Sequence, residues 1–188
     1  MTVAGSIRKI QAPFDDVTAR SLRAGESVRI TGTILAARDA AHKRLCDCLD
    51  KGEPLPIELN GQVVYYVGPS PAKPGQVIGA AGPTTAGRMD AYAPRLMDEG
   101  LKGMIGKGYR NAAVIESMKK NGVPFLAAVG GAGALISRCI KKYTVLAYDE
   151  LGPEALAAME VEDFPAIVVI DCLGNDYYKT GQAPYRKL

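Results

Sequence analysis

Three turns in this chain each carry a lone cation just after a β-like run. They are Ile34-Leu35-Ala36-Ala37-Arg38-Asp39, Ala80-Ala81-Gly82-Pro83-Thr84-Thr85-Ala86-Gly87-Arg88 and Gly103-Met104-Ile105-Gly106-Lys107-Gly108. In an α/β sheet such turns gather at the carboxyl edge, where helix N-termini already favour anions. Cations delivered by three separate turns suit a small substrate with more than one negative charge. Arg88 presents a planar fork matched to a carboxylate. Gly82 and Gly87 allow close backbone approach around the adjacent hydroxyls of Thr84 and Thr85.

Each feature also has a plainer reading. Gly82–Asp90 could be an ordinary capped turn with Thr85 as N-cap and Arg88 solvated. In Arg38-Asp39-Ala40-Ala41-His42, a substrate-gripping Arg38 held by Asp39 and supported by His42 competes with a helix cap beside a surface histidine. Lys107, between Gly106 and Gly108, is free to reach either a ligand or solvent, and Arg110 is expected to face solvent at a helix start. Gly130-Gly131-Ala132-Gly133-Ala134 could cradle an anion with backbone N–H groups, or let a short helix pack closely on the sheet. It has neither P-loop nor dinucleotide spacing.

Other chemistries are poorly supported. No serine sits in a G-x-S-x-G elbow, and His42 is the single histidine. Cys46 and Cys48 fall two apart in a predicted helix, so their side chains diverge by about 200°. With Cys139 and Cys172 they match no zinc or cluster pattern and read as structural or free thiols. Such a site binds a polyanion and offers a hydroxyl but brings no Lewis acid. A metal for demanding chemistry would have to come from another chain.

A net charge of +3 with no basic run argues against nucleic acid. Apolar runs such as Ala166–Ile170 fall far short of the ~20 residues that cross a bilayer, and Met1–Asp16 lacks the apolar core of a signal peptide. A cytoplasmic location is the default. With 188 residues, 47% of them hydrophobic and 23% charged, the chain fits one globular domain with a self-sufficient core.

The elements that must position these residues follow from pattern. A lead-in, residues 1–26, carries a weak strand near Ile7–Ile10, and Val28–Leu35 is a β run. Asp39 is expected to N-cap a helix to about Cys48–Asp50, with Ala41, Leu45, Cys48 and Leu49 on one face. Asn60-Gly61 turns into a Val63–Val67 strand, and Val77–Ala81 reads as the next. A helix runs to about Asp98, interrupted or restarted at Pro94. Gly103–Ile105 is a short strand, and Arg110–Asn121 a helix stopped by Gly122. Pro124–Val129 is a strand, Ala134–Ile140 a short helix, Tyr143–Tyr148 a strand, Pro153–Met159 a helix and Ala166–Asp171 a buried strand. Residues 179–188 form a polar tail. Alternating strands and helices give an α/β domain with a largely parallel sheet, and the β-rich first third suggests a second, smaller sheet or barrel-like layer.

Five segments then carry a resemblance: GPTTAGRMD (82–90), ARDAAHKR (37–44), KGYRN (107–111), GGAGAL (130–135) and EDFPAIVVIDCLGNDYY (162–178). Together they resemble, in order, the β-type half of class I fumarases and L-tartrate dehydratases, which are iron–sulfur hydro-lyases. The resemblance covers about residues 27–178. It implies a swivelling β/β/α domain that pairs with an α subunit, whose cysteines hold a 4Fe-4S cluster, in a hetero-oligomer. It also implies a C4 dicarboxylate substrate gripped by Arg38, Arg88 and Lys107. Thr84 is implied in proton transfer, with Asp39 and His42 as supporting members of the catalytic set. Three functions remain open: the β subunit of a fumarate hydratase, that of an L-tartrate dehydratase, and a non-catalytic dicarboxylate-binding module.

Overall fold

The computed structural model describes residues 7–186; the outermost ends of the expected lead-in and tail, 1–6 and 187–188, lie outside them. One sheet holds β1 (Arg8–Ala12), β2 (Ser27–Ala36), β3 (Val63–Tyr65), β4 (Gly103–Gly106), β5 (Phe125–Ala127), β6 (Ile140–Ala147) and β7 (Leu156–Ile170). Neighbours from β1 through β5 run parallel. Antiparallel contacts all belong to β7, which pairs with β2, β5 and β6. Because β7 reaches both β2 and β5, strands β2, β3, β4, β5 and β7 close into a ring, with β1 and β6 attached outside it.

Side chains directed into the ring, among them Ile30, Ile34, Tyr65, Leu126, Met159 and Phe164, make one apolar core. The outer faces of β3, β4 and β5 make another with helices α2 (Asp39–Lys51), α3 (Ala93–Asp98) and α4 (Ala112–Asn121), through residues such as Leu45, Tyr66, Leu96, Met104 and Met118. Two β walls with helices over one of them give the expected β/β/α layering in a single α/β domain.

The helix ends follow the sequence signals. The side chain of Asn111 accepts from Val114 N to start α4, and Gly122 ends it in the left-handed region at φ 69°. Gly52 closes α2 the same way at φ 68°, and α3 begins at Ala93 with Pro94 in its first turn, as a fresh start. The short helices α1 (Asp16–Ser21), α5 (Gly133–Ile136) and α6 (Tyr177–Thr180) complete the set. The segment expected as a lead-in supplies β1, in register with Val28–Gly32 of β2, and buries Ala19 and Leu22.

Four expectations are corrected. Residues 153–159 are not an α-helix: Pro153 and Glu154 finish a 3-10 segment, Asp149–Glu154, kinked at Gly152 (φ 57°), and β7 begins at Leu156. The Ala-rich stretch has helical propensity, but sheet partners on both of its edges override it. Val77–Ala81 is not a strand. Its backbone folds back on Ser70 through Ser70 N to Ala80 O (3.0 Å) and Gly79 N to Ser70 O (3.2 Å), and the Ser70 hydroxyl accepts from Ala80 N. Asp39 is the first residue of α2 and Arg38 is the cap position. Finally, the buried face of α2 is Ala41, His42, Leu45 and Cys46, turned so that Cys48 and Leu49 are only half-buried.

Candidate active site at the carboxyl edge

Parallel register brings the ends of four strands level. Ala36 pairs with Tyr65, Tyr65 with Ile105 and Gly106 with Ala127. The turns after β2, β4 and β5 therefore emerge side by side, carrying Arg38, Lys107 and Gly130. The segment 84–86 wedges between the ends of β3 and β4. Thr84 N donates to Tyr66 O (2.7 Å), Lys107 N to Thr84 O (3.2 Å) and Ala86 N to Lys107 O (2.8 Å). This inserted rung holds the turn carrying Arg88 against the turn carrying Lys107. Both main-chain polar groups of half-buried Thr84 are thus used, while its hydroxyl makes no hydrogen bond among the described residues.

The charges form a chain along this edge. Arg38 Nη2 donates to Glu154 Oε1 at 2.6 Å, and Glu154 Oε2 accepts from Ala40 N at 3.2 Å. Glu154, distant in sequence, thus supplies both the counter-ion of Arg38 and the first-turn cap of α2, where the helix dipole favours an anion. The Arg38 side chain lies against Gly68 so closely that a Cβ there would stand 3.0 Å from Arg38 Cδ. Asp39 does not cap its own helix because its carboxylate pairs with Arg88. Arg38 Nε and Asp39 Oδ1 are buried without a hydrogen-bond partner, so polar valences remain in this cluster.

His42 is fully buried, with no path to the rim. Its Nδ1 lies 2.9 Å from the Arg38 carbonyl oxygen, which also accepts from His42 N. A carbonyl can only accept, so Nδ1 carries the proton and Nε2, buried and unpartnered, does not. Burial is the main cause that lowers its pKa to about 4, with the Arg110 charge adding to it. The imidazole is neutral at pH 7 and braces the Arg38 backbone.

Lys107 is exposed and forms no ion pair among the described residues. Its stem passes over the glycine turn: a Cβ on Gly130 would stand 3.7 Å from Lys107 Cδ. In the same turn, Ala81 N donates to Gly133 O at 3.0 Å, and a Cβ on Gly133 would press on Gly82 N at 2.9 Å. Close backbone packing therefore explains Gly133, whereas a Cβ at Gly130 would meet the lysine stem only at ordinary contact distance.

Arg110 does not face solvent; it is 6% exposed. Its Nε lies 2.8 Å from Asp90 Oδ1, its Nη1 donates to the Tyr66 hydroxyl at 3.1 Å, and its guanidinium lies over the Phe125 ring. Tyr66 in turn meets the His42 ring edge-on. Sequence reasoning missed Glu154, Tyr66 and Arg110; the one available cue was that Asp90 closes the motif that carries Arg88.

The cysteines do not fit an iron–sulfur cluster. Cys48 Sγ meets the Tyr148 hydroxyl, Cys139 Sγ the Asp163 carbonyl and Cys172 Sγ the Arg20 carbonyl, three separate places, while Cys46 is buried in α2. Among the described residues no group of three His, Cys, Asp or Glu side chains converges on a metal-sized point. No helix among them is long and apolar enough to cross a membrane.

Turns bearing Arg38, Arg88 and Lys107 thus meet at one edge of the parallel strands in a β/β/α domain. Within it, residues 8–181 match the family model described as Fumarase C-terminus, and the chain belongs to that family. Fumarate hydratase 2 of Leishmania major is 40% identical over 173 residues, 90% of this chain and 30% of that protein. The aerobic class I fumarate hydratase of Escherichia coli is 38% identical over 174 residues, 90% of this chain and 32% of that protein. A Methanocaldococcus jannaschii protein, provisionally named an L(+)-tartrate dehydratase subunit beta, is 35% identical over 176 residues, 90% of each chain. This chain thus spans about a third of the length of the fumarate hydratases and nearly all of the last relative. The family is one of hydro-lyases.

Proposed function

We propose that this chain is the β subunit of a two-subunit hydro-lyase that reversibly hydrates fumarate to (S)-malate in the cytoplasm. The observation that carries the reading is the chain Glu154–Arg38–Asp39–Arg88 at the sheet edge that also carries Lys107, a cation with no ion pair among the described residues. Its residues offer forked and point-charge donors to two carboxylates, and family membership supports the reaction class. The Lewis acid for the departing hydroxyl is assigned to a 4Fe-4S cluster on an α partner, as the resemblance to iron–sulfur hydro-lyases implies; the scattered thiols of this chain offer no ligand set for it.

In this reading Arg88 and Lys107 grip one carboxylate and Arg38 orients the other. Removing a proton next to a carboxylate spreads charge into it, and fixed cations stabilise that charge as it develops. Thr84 Oγ, the unengaged hydroxyl of the inserted rung, takes up that proton as it gives its own to a water molecule, which carries it to solvent. A threonine hydroxyl is far too weak a base to keep it. His42 stays neutral and holds the Arg38 main chain.

Purified alone, the chain is expected to be silent. Mixed anaerobically with a cluster-loaded α partner, it should consume fumarate, followed as loss of its ultraviolet absorbance. Silence with a partner that is active with another β subunit refutes the proposal. The relative matched over nearly its whole length favours L-tartrate as a second substrate, so oxaloacetate formation is assayed in the same mixture.

A further inference from the structure

We infer that Arg110 and Asp90 are positioning residues that fix the separation of Arg88 and Lys107; the inference rests on the substrate-gripping roles proposed above. Asp90 lies two residues after Arg88, and Arg110 three after Lys107. Between these two turns Asp90 grips the second twice. Its Oδ1 forms an ion pair with Arg110 Nε at 2.8 Å, without the alignment of a hydrogen bond, and its Oδ2 accepts from Asn111 N at 2.8 Å. The Arg110 side chain is 0% exposed and that of Asp90 11%. Asn111 also caps α4, so the grip ties the Arg88 turn to a helix as well as to a loop.

The burial decides the reading. An exposed pair such as Asp39–Arg88 constrains little, because water and side-chain freedom compete with it. A guanidinium buried between the Phe125 and Tyr66 rings has no such freedom. Its charge is compensated by Asp90 alone among the described carboxylates. Replacing one partner leaves the other buried and unpaired, so the two turns must shift or admit water. The backbone rung of Thr84, Ala86 and Lys107 joins the same two turns and would loosen first. Neither Asp90 nor Arg110 touches the substrate in the proposed mode; they act through Arg88 and Lys107.

The test replaces the pair by apolar residues, Asp90→Leu with Arg110→Met, since swaps of this kind are often neutral for stability. Amide hydrogen exchange of the chain is expected to quicken at least tenfold at Ala86 and Lys107 and to stay unchanged at Ile105 and Leu126 inside the sheet. In the complex with the α partner, KM for fumarate should rise about tenfold with kcat within threefold. Unchanged exchange at Ala86 and Lys107 overturns the inference, whether or not the chain turns over fumarate. Faster exchange with an unchanged KM also overturns it, whereas a wild-type complex that is inactive on every C4 diacid fails the functional reading and leaves the exchange result standing. Should the double variant loosen throughout, Arg110→Lys is judged by the same criteria: it keeps the charge and loses the fork, and smaller changes confined to the same two amides are expected.

Discussion

The buried neutral histidine makes acid sensitivity a quantitative test of the site's architecture. His42 titrates near 6.5 when the chain is unfolded and at about 4 when it is folded, chiefly because burial penalises the imidazolium. A folded-state pKa below the unfolded one means that the unfolded chain takes up the proton first. The associated stability is therefore complete above pH 6.5 and is lost progressively as pH falls towards 4. A gap of this size corresponds to roughly 3 kcal/mol at about 1.4 kcal/mol per pH unit.

The perturbation is His42→Phe, which retains an aromatic ring against Tyr66 and removes the titration. The Arg38 carbonyl keeps its bond from the residue 42 backbone N–H. Urea unfolding followed by circular dichroism at pH 7, 6, 5 and 4 separates this effect from the carboxylates, which titrate alike in both proteins. With a urea dependence of about 2 kcal/mol per molar, the wild-type midpoint should fall about 1.5 M further than that of the variant between pH 7 and 4. Midpoints that move in parallel refute the argument, because they mean that the imidazole can acquire a proton in place or that water reaches Nε2.

Arg88 separates function from fold. It is about half exposed and pairs with Asp39, so Arg88→Ala should change stability by less than about 1 kcal/mol. Loss of a charge-assisted fork should nevertheless lower kcat/KM in the reconstituted complex by about 10- to 100-fold. Arg88→Lys should recover little, and full activity in the alanine variant sinks the carboxylate role. Gly32→Ala tests the β1–β2 seam: Gly32 sits at φ 120°, and a Cβ there would fall inside the van der Waals envelope of the Ala12 carbonyl. A loss of about 3 kcal/mol or more is expected from strain and overpacking together, measured as the urea midpoint, and a loss under about 1 kcal/mol contradicts that geometry.

What was legible in the sequence is local. Arg38, Arg88 and Lys107 stood out because each follows a β-like run directly, and parallel strands necessarily deliver such turns to one edge. Gly122 announced a helix end through the left-handed conformation that it adopts. What was illegible depends on partners far along the chain. Glu154 sits after an unusual glycine in a segment whose composition favours helix, and nothing nearby announces that it will cap α2 across more than a hundred residues. Arg110 opens a polar run at a helix start, where solvent exposure is the ordinary outcome; only the Asp90 carboxylate and the Phe125 ring make its burial possible. The buried face of α2 was misjudged for a similar reason. His42 is polar by type, and its inward turn is tolerated because the Arg38 carbonyl takes its proton-bearing nitrogen.

The rim is already partly neutralised, and that bears on why it would act as half of a site. Glu154 holds Arg38 and Asp39 holds Arg88, which leaves Lys107 as the cation without an internal counter-ion in this cluster. Three cations against two carboxylates give one net positive charge, one short of a dicarboxylate. A dianion enclosed there would remain undercompensated, and enclosed charge without compensation is costly. Left open to water, the edge holds such an anion only weakly; closed over it, the edge requires positive charge from outside this cluster. On the proposed reading the partner subunit contributes that charge together with the cover. The Glu154 carboxylate then serves a second purpose, since from 2.6 Å it holds the part-buried Arg38 in place before any substrate arrives.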